Sequence, residues 1–333
     1  MLTLANAFTQ TEIAAAINIV PNTYGRLQAL GLMPVRGVTT RDVAIEEQNG
    51  SLVMIPTDLV GSPGNVGKVG KRVVRTFRVP KLTQDDHATP AEVDGIRAFG
   101  GDARASLAAL LSTKLQNTRA KHDITLEHLR MGALKGIILD ADGSTTIYNL
   151  YTEFGITQKA VNFALSTAGT DVRAKCLEVK RHIEDNLKGD FSNGIRVLVS
   201  GEFFDALTKH ANVEKAYANY QEASQRLGGD MRGGFTFGGL TFEEYRGVAT
   251  GSAGTAVRFI ASGEGHAFPE GTSQTFATLA APADFNEAVG TLGQVYYAKV
   301  LPARFDRGYD IHTQANVLPM CMRPGVLVKL TAS

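Results

Sequence analysis

Apolar and polar positions divide the chain into strand-rich ends around a middle that alternates helix and strand. Residues before about Pro34 predict a short helix, Glu12 to Ile19, stopped by Pro21, then a loose arm through Gly25 and Gly31. Val43 and Ile45 precede Asn49-Gly50, and Leu52, Val53 and Ile55 follow it. Asn-Gly between apolar runs is a hairpin signal, because both turn positions require a residue tolerant of positive φ. A Gly/Pro tip from Gly61 to Gly67 leads to a returning strand, Val73, Val74, Phe77 and Val79, which stops at Pro80. Strand pairs joined by such a tip predict an extended arm.

Helical spacing begins after Asp102, a good N-cap, and continues to about Leu134. Leu107, Leu110, Leu111 and Leu115, then Leu126, Leu129 and Ala133, keep one face apolar, while Gln116 to Asp123 is polar on most sides. Such a helix reaches about 45 Å, and a polar waist predicts that it lies across a surface with that waist solvated. Ile137 to Leu139, Asp140-Ala141-Asp142-Gly143, and Ile147-Tyr148 predict a second hairpin. Beyond Phe154, Thr170 is the expected cap of a helix striped by Val172, Cys176, Val179, Ile183 and Leu187, ending at Gly189. Ile195 to Val199 reads as a strand, Ser200 as the next cap, and Phe235, Phe237, Leu240 and Phe242 as a Gly-rich strand pair. Val257 to Ile260 is a further strand, and the chain is strand-rich again from Tyr296. The fold class is α+β.

Composition narrows function mainly by exclusion. The 333 residues are 44% hydrophobic and 20% charged, enough for a sizeable core. A formal net charge of +1 gives no global field for nucleic acid, so any DNA contact must come from a local face. The distant Cys176 and Cys321 read as reduced, buried small hydrophobes. Met1 to Asn6 lacks the pattern of a secretory signal, and no apolar run is long enough to span a bilayer, which predicts a soluble, intracellular chain and no membrane partner.

Motifs for chemistry come close and fail. Gly61 to Lys68 resembles a phosphate loop, but the spacing is one residue too long and Val69 stands where the magnesium-binding hydroxyl belongs. Asp140 to Gly143 lacks the further oxygen ligands of a calcium loop and is explained by a hairpin turn. His122, Glu127 and His128 match no zinc-enzyme spacing and read as solvated residues of the helix surface. No serine has a nucleophile-elbow frame. The expectation is no active site, no metal and no cofactor. One charge pattern stands out: Lys68, Lys71, Arg72, Arg75, Arg78 and Lys81 fall in one strand segment without an acid. Either they pair across the arm with Asp42, Glu46 and Glu47, or they meet acidic groups of a neighbouring subunit, or, with only Phe77 to interleave, they touch nucleic acid.

The order of elements resembles the tailed-phage major capsid fold of the Hong Kong ninety-seven type. Specific stretches resemble the lambda-type capsid protein E family: Leu126-Glu127-His128-Leu129-Arg130, Ile138-Leu139-Asp140-Ala141-Asp142-Gly143-Ser144, Glu153-Phe154-Gly155-Ile156, and Ala267-Phe268-Pro269-Glu270-Gly271-Thr272. Ala281-Pro282-Ala283-Asp284-Phe285, Tyr297-Ala298-Lys299, Gln314-Ala315-Asn316-Val317-Leu318-Pro319 and Arg323-Pro324 continue the likeness to the end of the chain.

The resemblance implies an N-terminal arm (1–34), an extended β-hairpin loop (35–90), a peripheral domain with a long spine helix (91–150), an axial α+β domain (151–290) and C-terminal strands returning to the peripheral domain (291–333). It further implies a structural subunit that forms pentamers and hexamers of an icosahedral head around double-stranded DNA. Scaffold, portal and decoration proteins would be partners, with assembly in the host cytoplasm. On that reading Lys71, Arg72, Arg75 and Arg78 are candidate inter-subunit contacts. Arg119, Lys121, His122 and Arg130 are candidate genome-facing residues, touching DNA without reading sequence, the alternatives being a helix waist that faces solvent or is covered by the N-terminal arm. Lys68 or Lys71 with Asn316 offers the residue types of a subunit crosslink. An α+β enzyme or binding protein with an unrecognised site, and another phage assembly component, are the alternative readings.

Overall fold

The computed structural model describes residues 25–48, 72–95, 103–218, 231–251 and 254–333. The Asn49-Gly50 turn, the Gly61–Gly67 tip, Lys68, Lys71 and the first helix lie outside them. The chain divides into two compact units. Unit 1 is Met1–Asp42, Arg78–Met131 and Ala277–Met320; unit 2 is Val43–Phe77, Gly132–Phe276 and Cys321–Ser333.

Unit 1 is organised by a long helix and two three-stranded sheets. A short helix α1 (Arg26–Ala29) leads to strand β1 (Val35–Gly37), which pairs in parallel with β14 (Phe276–Ala280), itself beside β17 (Val317–Cys321). The second sheet is antiparallel, in the order β15 (Tyr297–Pro302), β16 (Tyr309–Ala315), β4 (Leu82–Ala88). After β4, Thr89 and Glu92 exchange bonds as a capping box for helix α2 (Pro90–Gly95). Helix α3 runs from Ala103 to Lys135, about 50 Å at 1.5 Å per residue. Its Leu126 packs with Ala280, Tyr296, Ala298, Ala315 and Val317 in one core. Leu111 packs with Ala88 and Ile311 in another.

Unit 2 is built on a six-stranded mixed sheet in the order β7 (Lys159–Asn162), β18 (Val328–Thr331), β13 (Glu264–Glu270), β8 (Gly194–Val199), β10 (Leu240–Glu244), β9 (Phe235–Phe237). The central strand β8 buries Ile195, Val197, Leu198 and Val199, as a strand covered on both faces should. Helix α5 (Val172–Asn186) buries Val172, Cys176, Val179 and Ile183, and helix α6 (Gly201–Lys209) buries Phe203, Phe204 and Leu207. Phe163, Phe203 and Phe242 meet ring to ring, with centroids 5.6 to 6.5 Å apart. Gly238 and Gly239, at φ 60° and 82°, make the turn between β9 and β10. A Cβ at Gly238 would stand 2.5 Å from the Cβ of Cys176, so the turn also needs the missing side chain for packing. Hairpins β5 (Ile137–Leu139) with β6 (Thr146–Asn149), and β11 (Val248–Thr250) with β12 (Ala256–Arg258), complete the unit with helix α4 (Leu150–Phe154) and α7 (Ala211–Ala218).

The C-terminal strands divide: β15 and β16 join β4 in unit 1, whereas β18 is an inner strand of the unit 2 sheet, flanked by β13 and β7. Two expectations are corrected. The cap of α5 is Asp171, whose carboxylate accepts from the Ala174 amide, while the Thr170 hydroxyl donates to the Ala164 carbonyl. The waist of α3 is solvated on one side only: Gln116, Asn117 and Lys121 are exposed, whereas Thr118, Arg119, His122 and Asp123 are buried, as is Glu127 further along.

Candidate assembly surface

The basic strand lies in β3 (Arg72–Arg78), which pairs with β2 (Asp42–Gln48) in a two-stranded sheet joined by no other described strand. Its base is anchored by Phe77, fully buried against Tyr148 at 5.4 Å and Phe154 at 6.1 Å between ring centroids. Arg75 belongs to this anchor: its Nε donates to the Glu153 carbonyl at 2.8 Å and its guanidinium lies 4.7 Å from the Phe154 ring. Beyond it the strand shows Val73 and Val74 to solvent, 38% and 56% exposed. Arg78 is exposed as well. The acids that follow are engaged elsewhere. Lys114 reaches Asp86 and Glu92 at 3.3 and 3.2 Å, and Asp85 holds His312.

The four candidate genome-facing residues separate. Lys121 is exposed; Arg119, His122 and Arg130 are buried inside unit 1. Arg119 pairs with Asp123 one turn on, at 3.1 Å, and its guanidinium sits 3.6 Å over the Tyr296 ring, whose hydroxyl donates to Asp123. His122 Nε2 lies 3.0 Å from the Thr313 hydroxyl. Burial, with Arg119 next in weight, pushes the His122 pKa down to about 4, so the ring is neutral near pH 7 and brings no charge to a polyanion. Arg130 donates to the Gln28 side chain at 2.8 Å, and Glu127 accepts the Leu27 amide at 2.8 Å, so the arm helix α1 is tied to α3 by polar side chains. Polar residues in mid-helix therefore serve internal partners from α1, from Tyr296 just before β15, and from β16. The i, i+4 spacing of Arg119 and Asp123 was the one visible signal.

Asn316, a candidate for crosslinking, is fully buried and donates to the Pro282 carbonyl at 2.6 Å. Asp142 caps its own turn, accepting from the Ser144 and Thr145 amides at 2.8 Å each. Among the described residues no three metal-type side chains cluster and no helix is long and apolar enough to cross a membrane. What the site presents is surface: an apolar-basic ribbon on one unit and paired charges on an open sheet.

That arrangement coincides with a family profile. The description "Phage major capsid protein E" matches residues 9–332. The chain belongs to that family. It is 32% identical to the major capsid protein of Pseudomonas phage KPP10, over 98% of this chain and 97% of that one. It is 29% identical to the major capsid protein of Salmonella phage Felix O1, over 98% and 96%. Its fold is that of the capsid of Myoviridae phage XM1, with a TM-score of 0.52 at 12% identity over 100% and 99% of the two chains. A prophage protein of E.coli CFT073 assigned as a capsid protein gives 0.59 at 15% identity over 98% and 99%. This phage major capsid protein is therefore a structural, self-associating subunit with an α+β capsid fold, and its role is shell formation rather than catalysis.

Proposed function

We propose that the chain assembles as pentamers and hexamers into a closed icosahedral head around double-stranded DNA, and that the β2–β3 ribbon lies on a neighbouring subunit. The observation that carries this reading is the ribbon itself, a two-stranded sheet with no further described strand beside it and two valines open to solvent. An isolated two-stranded ribbon is marginal in water, and an uncovered apolar edge invites pairing with another chain. Lys71, Arg72 and Arg78 meet acidic groups of the neighbour, whereas Arg75 steadies the ribbon on its own subunit. Lys121 faces the genome as one of many sequence-blind positive charges. Assembly takes place in the host cytoplasm with scaffold, portal and decoration proteins.

The test replaces Val73 and Val74 by Glu and compares the variant with the unmodified chain by sedimentation and negative-stain microscopy. Shells from the unmodified chain, and folded but unassembled variant subunits, support the proposal. Shells formed equally well by both contradict the ribbon's role.

A further inference from the structure

Two charged side chains of α3 are buried where the short helix α1 covers them. Glu127 is fully buried, Arg130 is 6% exposed, and the two approach to 4.0 Å. Glu127 Oε1 accepts the Leu27 amide and Arg130 donates to the Gln28 side chain, both at 2.8 Å. Burial holds the Arg130 pKa below its ordinary value, although the Glu127 charge opposes that shift. The pair is kept out of water at a cost that its own attraction does not fully offset.

What covers the pair is slight. Helix α1 has four residues, only Leu27 among them is buried, and its N-cap, Gly25, has no side chain to offer. A helix this short does not persist without its packing. Arg26, Gln28 and Ala29 are exposed. Gly31, at φ 63°, ends the helix in a turn with no atom within 4 Å of where a Cβ would stand. The attachment becomes firm two residues later. The Thr278 hydroxyl donates to the Met33 carbonyl at 3.2 Å, the Thr278 amide donates to the Pro34 carbonyl at 2.9 Å, and β1 then pairs with β14. Gly25 to Leu32 is thus a strap with one apolar anchor and two polar ties, next to a fixed point.

We infer that α1 opens and closes as a unit, hinged at Gly31 and Leu32, and that opening delivers Glu127 and Arg130 to water while the rest of unit 1 stays folded. The opened strap regains its backbone freedom and gives up the burial of a single leucine. The two charges become hydrated together, so neither is left alone in the interior. Water replaces both polar ties. Closed and open positions therefore lie close in stability, as a conformational switch requires. The strap works within one subunit, independently of shell formation.

Native-state hydrogen exchange on the full chain reads the opening directly. In the closed strap the Leu27, Ala29, Leu30 and Gly31 amides are bonded to Glu127, Gly25, Arg26 and Gln28. They are expected to exchange together, about a hundredfold or more faster than the α3 amides of residues 126–131, yet slower than an unstructured peptide. Dilute urea should speed the α3 amides and leave those of α1 unchanged, because the opening exposes little surface. Leu111→Ala, in a different core of unit 1, should do the same. Leu27→Ala should speed the α1 amides about tenfold. Glu127→Gln keeps an acceptor for the Leu27 amide but removes the charge that balances Arg130, so it should also speed them about tenfold; a passively frayed segment would not respond. Amides of α1 that exchange with those of α3 and share their response to urea would overturn the inference. So would α1 amides without protection in the unmodified chain, or rates unchanged by Glu127→Gln. If Leu111→Ala does not fold, the urea series decides in its place.

Discussion

Replacing Asp123 by Asn is the perturbation that probes the buried network of the long helix most sharply. The side chains of Arg119 and Asp123 are 8% and 3% exposed and lie 3.1 Å apart. At an effective dielectric near 20 their attraction is about 5 kcal/mol, against a desolvation penalty of similar size. The net worth of the intact pair is therefore small, but removing one charge strands the other. Asn keeps the shape and an acceptor for the Tyr296 hydroxyl, and the Tyr296 ring still faces the guanidinium 3.6 Å away, which recovers about 1–2 kcal/mol. The expected cost is about 3 kcal/mol, the lower end for a broken buried pair. Native-state hydrogen exchange reads it locally. Amides of α3 near residues 119–131 should lose about a hundredfold in protection, at 1.36 kcal/mol per tenfold. The triple replacement Arg119→Met, Asp123→Leu and Tyr296→Phe removes every member at once and should return protection to within about tenfold of the original. A cost under tenfold for Asp123→Asn, or a triple variant as weak as the single one, would refute this reasoning.

Other outcomes follow from single sites. His122 and His266 are held neutral by burial, down to about 4 and about 3. The unfolded chain takes up those protons first, so stability should fall as pH drops below about 6.5 and level off near those values. Melting against pH checks it, and His122→Gln should flatten its share of the slope. Hydrogen bonds from Ser273, Gln274 and Thr275 outweigh desolvation and hold Asp190 near 2, so a further loss is expected as pH falls from about 4 towards 2; Asp190→Asn should lack it. Gly308→Ala should destabilise unit 1 by about 3 kcal/mol, since a methyl group meets the Ala88 carbonyl at a backbone angle closed to alanine; an unchanged melting curve would contradict the placement of the hairpin. Arg75→Ala should cost the subunit about 1 kcal/mol through the Glu153 carbonyl and Phe154 ring, and Arg75→Lys should recover only part of it.

The elements legible in the chain are those whose signal is local. Leucine spacing places α3 at Ala103–Lys135, within a residue or two of its expected span, and Asp-Gly gives the β5–β6 turn. Ser200 caps α6 as its position suggests, its side chain accepting from the Phe203 amide. What was not legible depends on partners distant in sequence. Whether Arg119 and His122 are solvated is decided by Tyr296 and Thr313, more than 170 residues away. The destination of β18 depends on β7 and β13, and no property of Val328 to Thr331 distinguishes one sheet from another. Asp171 outcompetes Thr170 as a cap because a carboxylate is a strong acceptor for helix amides, and the Thr170 hydroxyl is engaged by Ala164.

The most direct test of the central claim is sedimentation of the purified full chain across a concentration series, with electron microscopy of the fastest fraction. A shell-forming subunit predicts a sharp concentration threshold, above which closed, uniform shells coexist with free subunits and no intermediate sizes accumulate. A single slow species that stays monomeric at every concentration, with no shells in the micrographs, would contradict it.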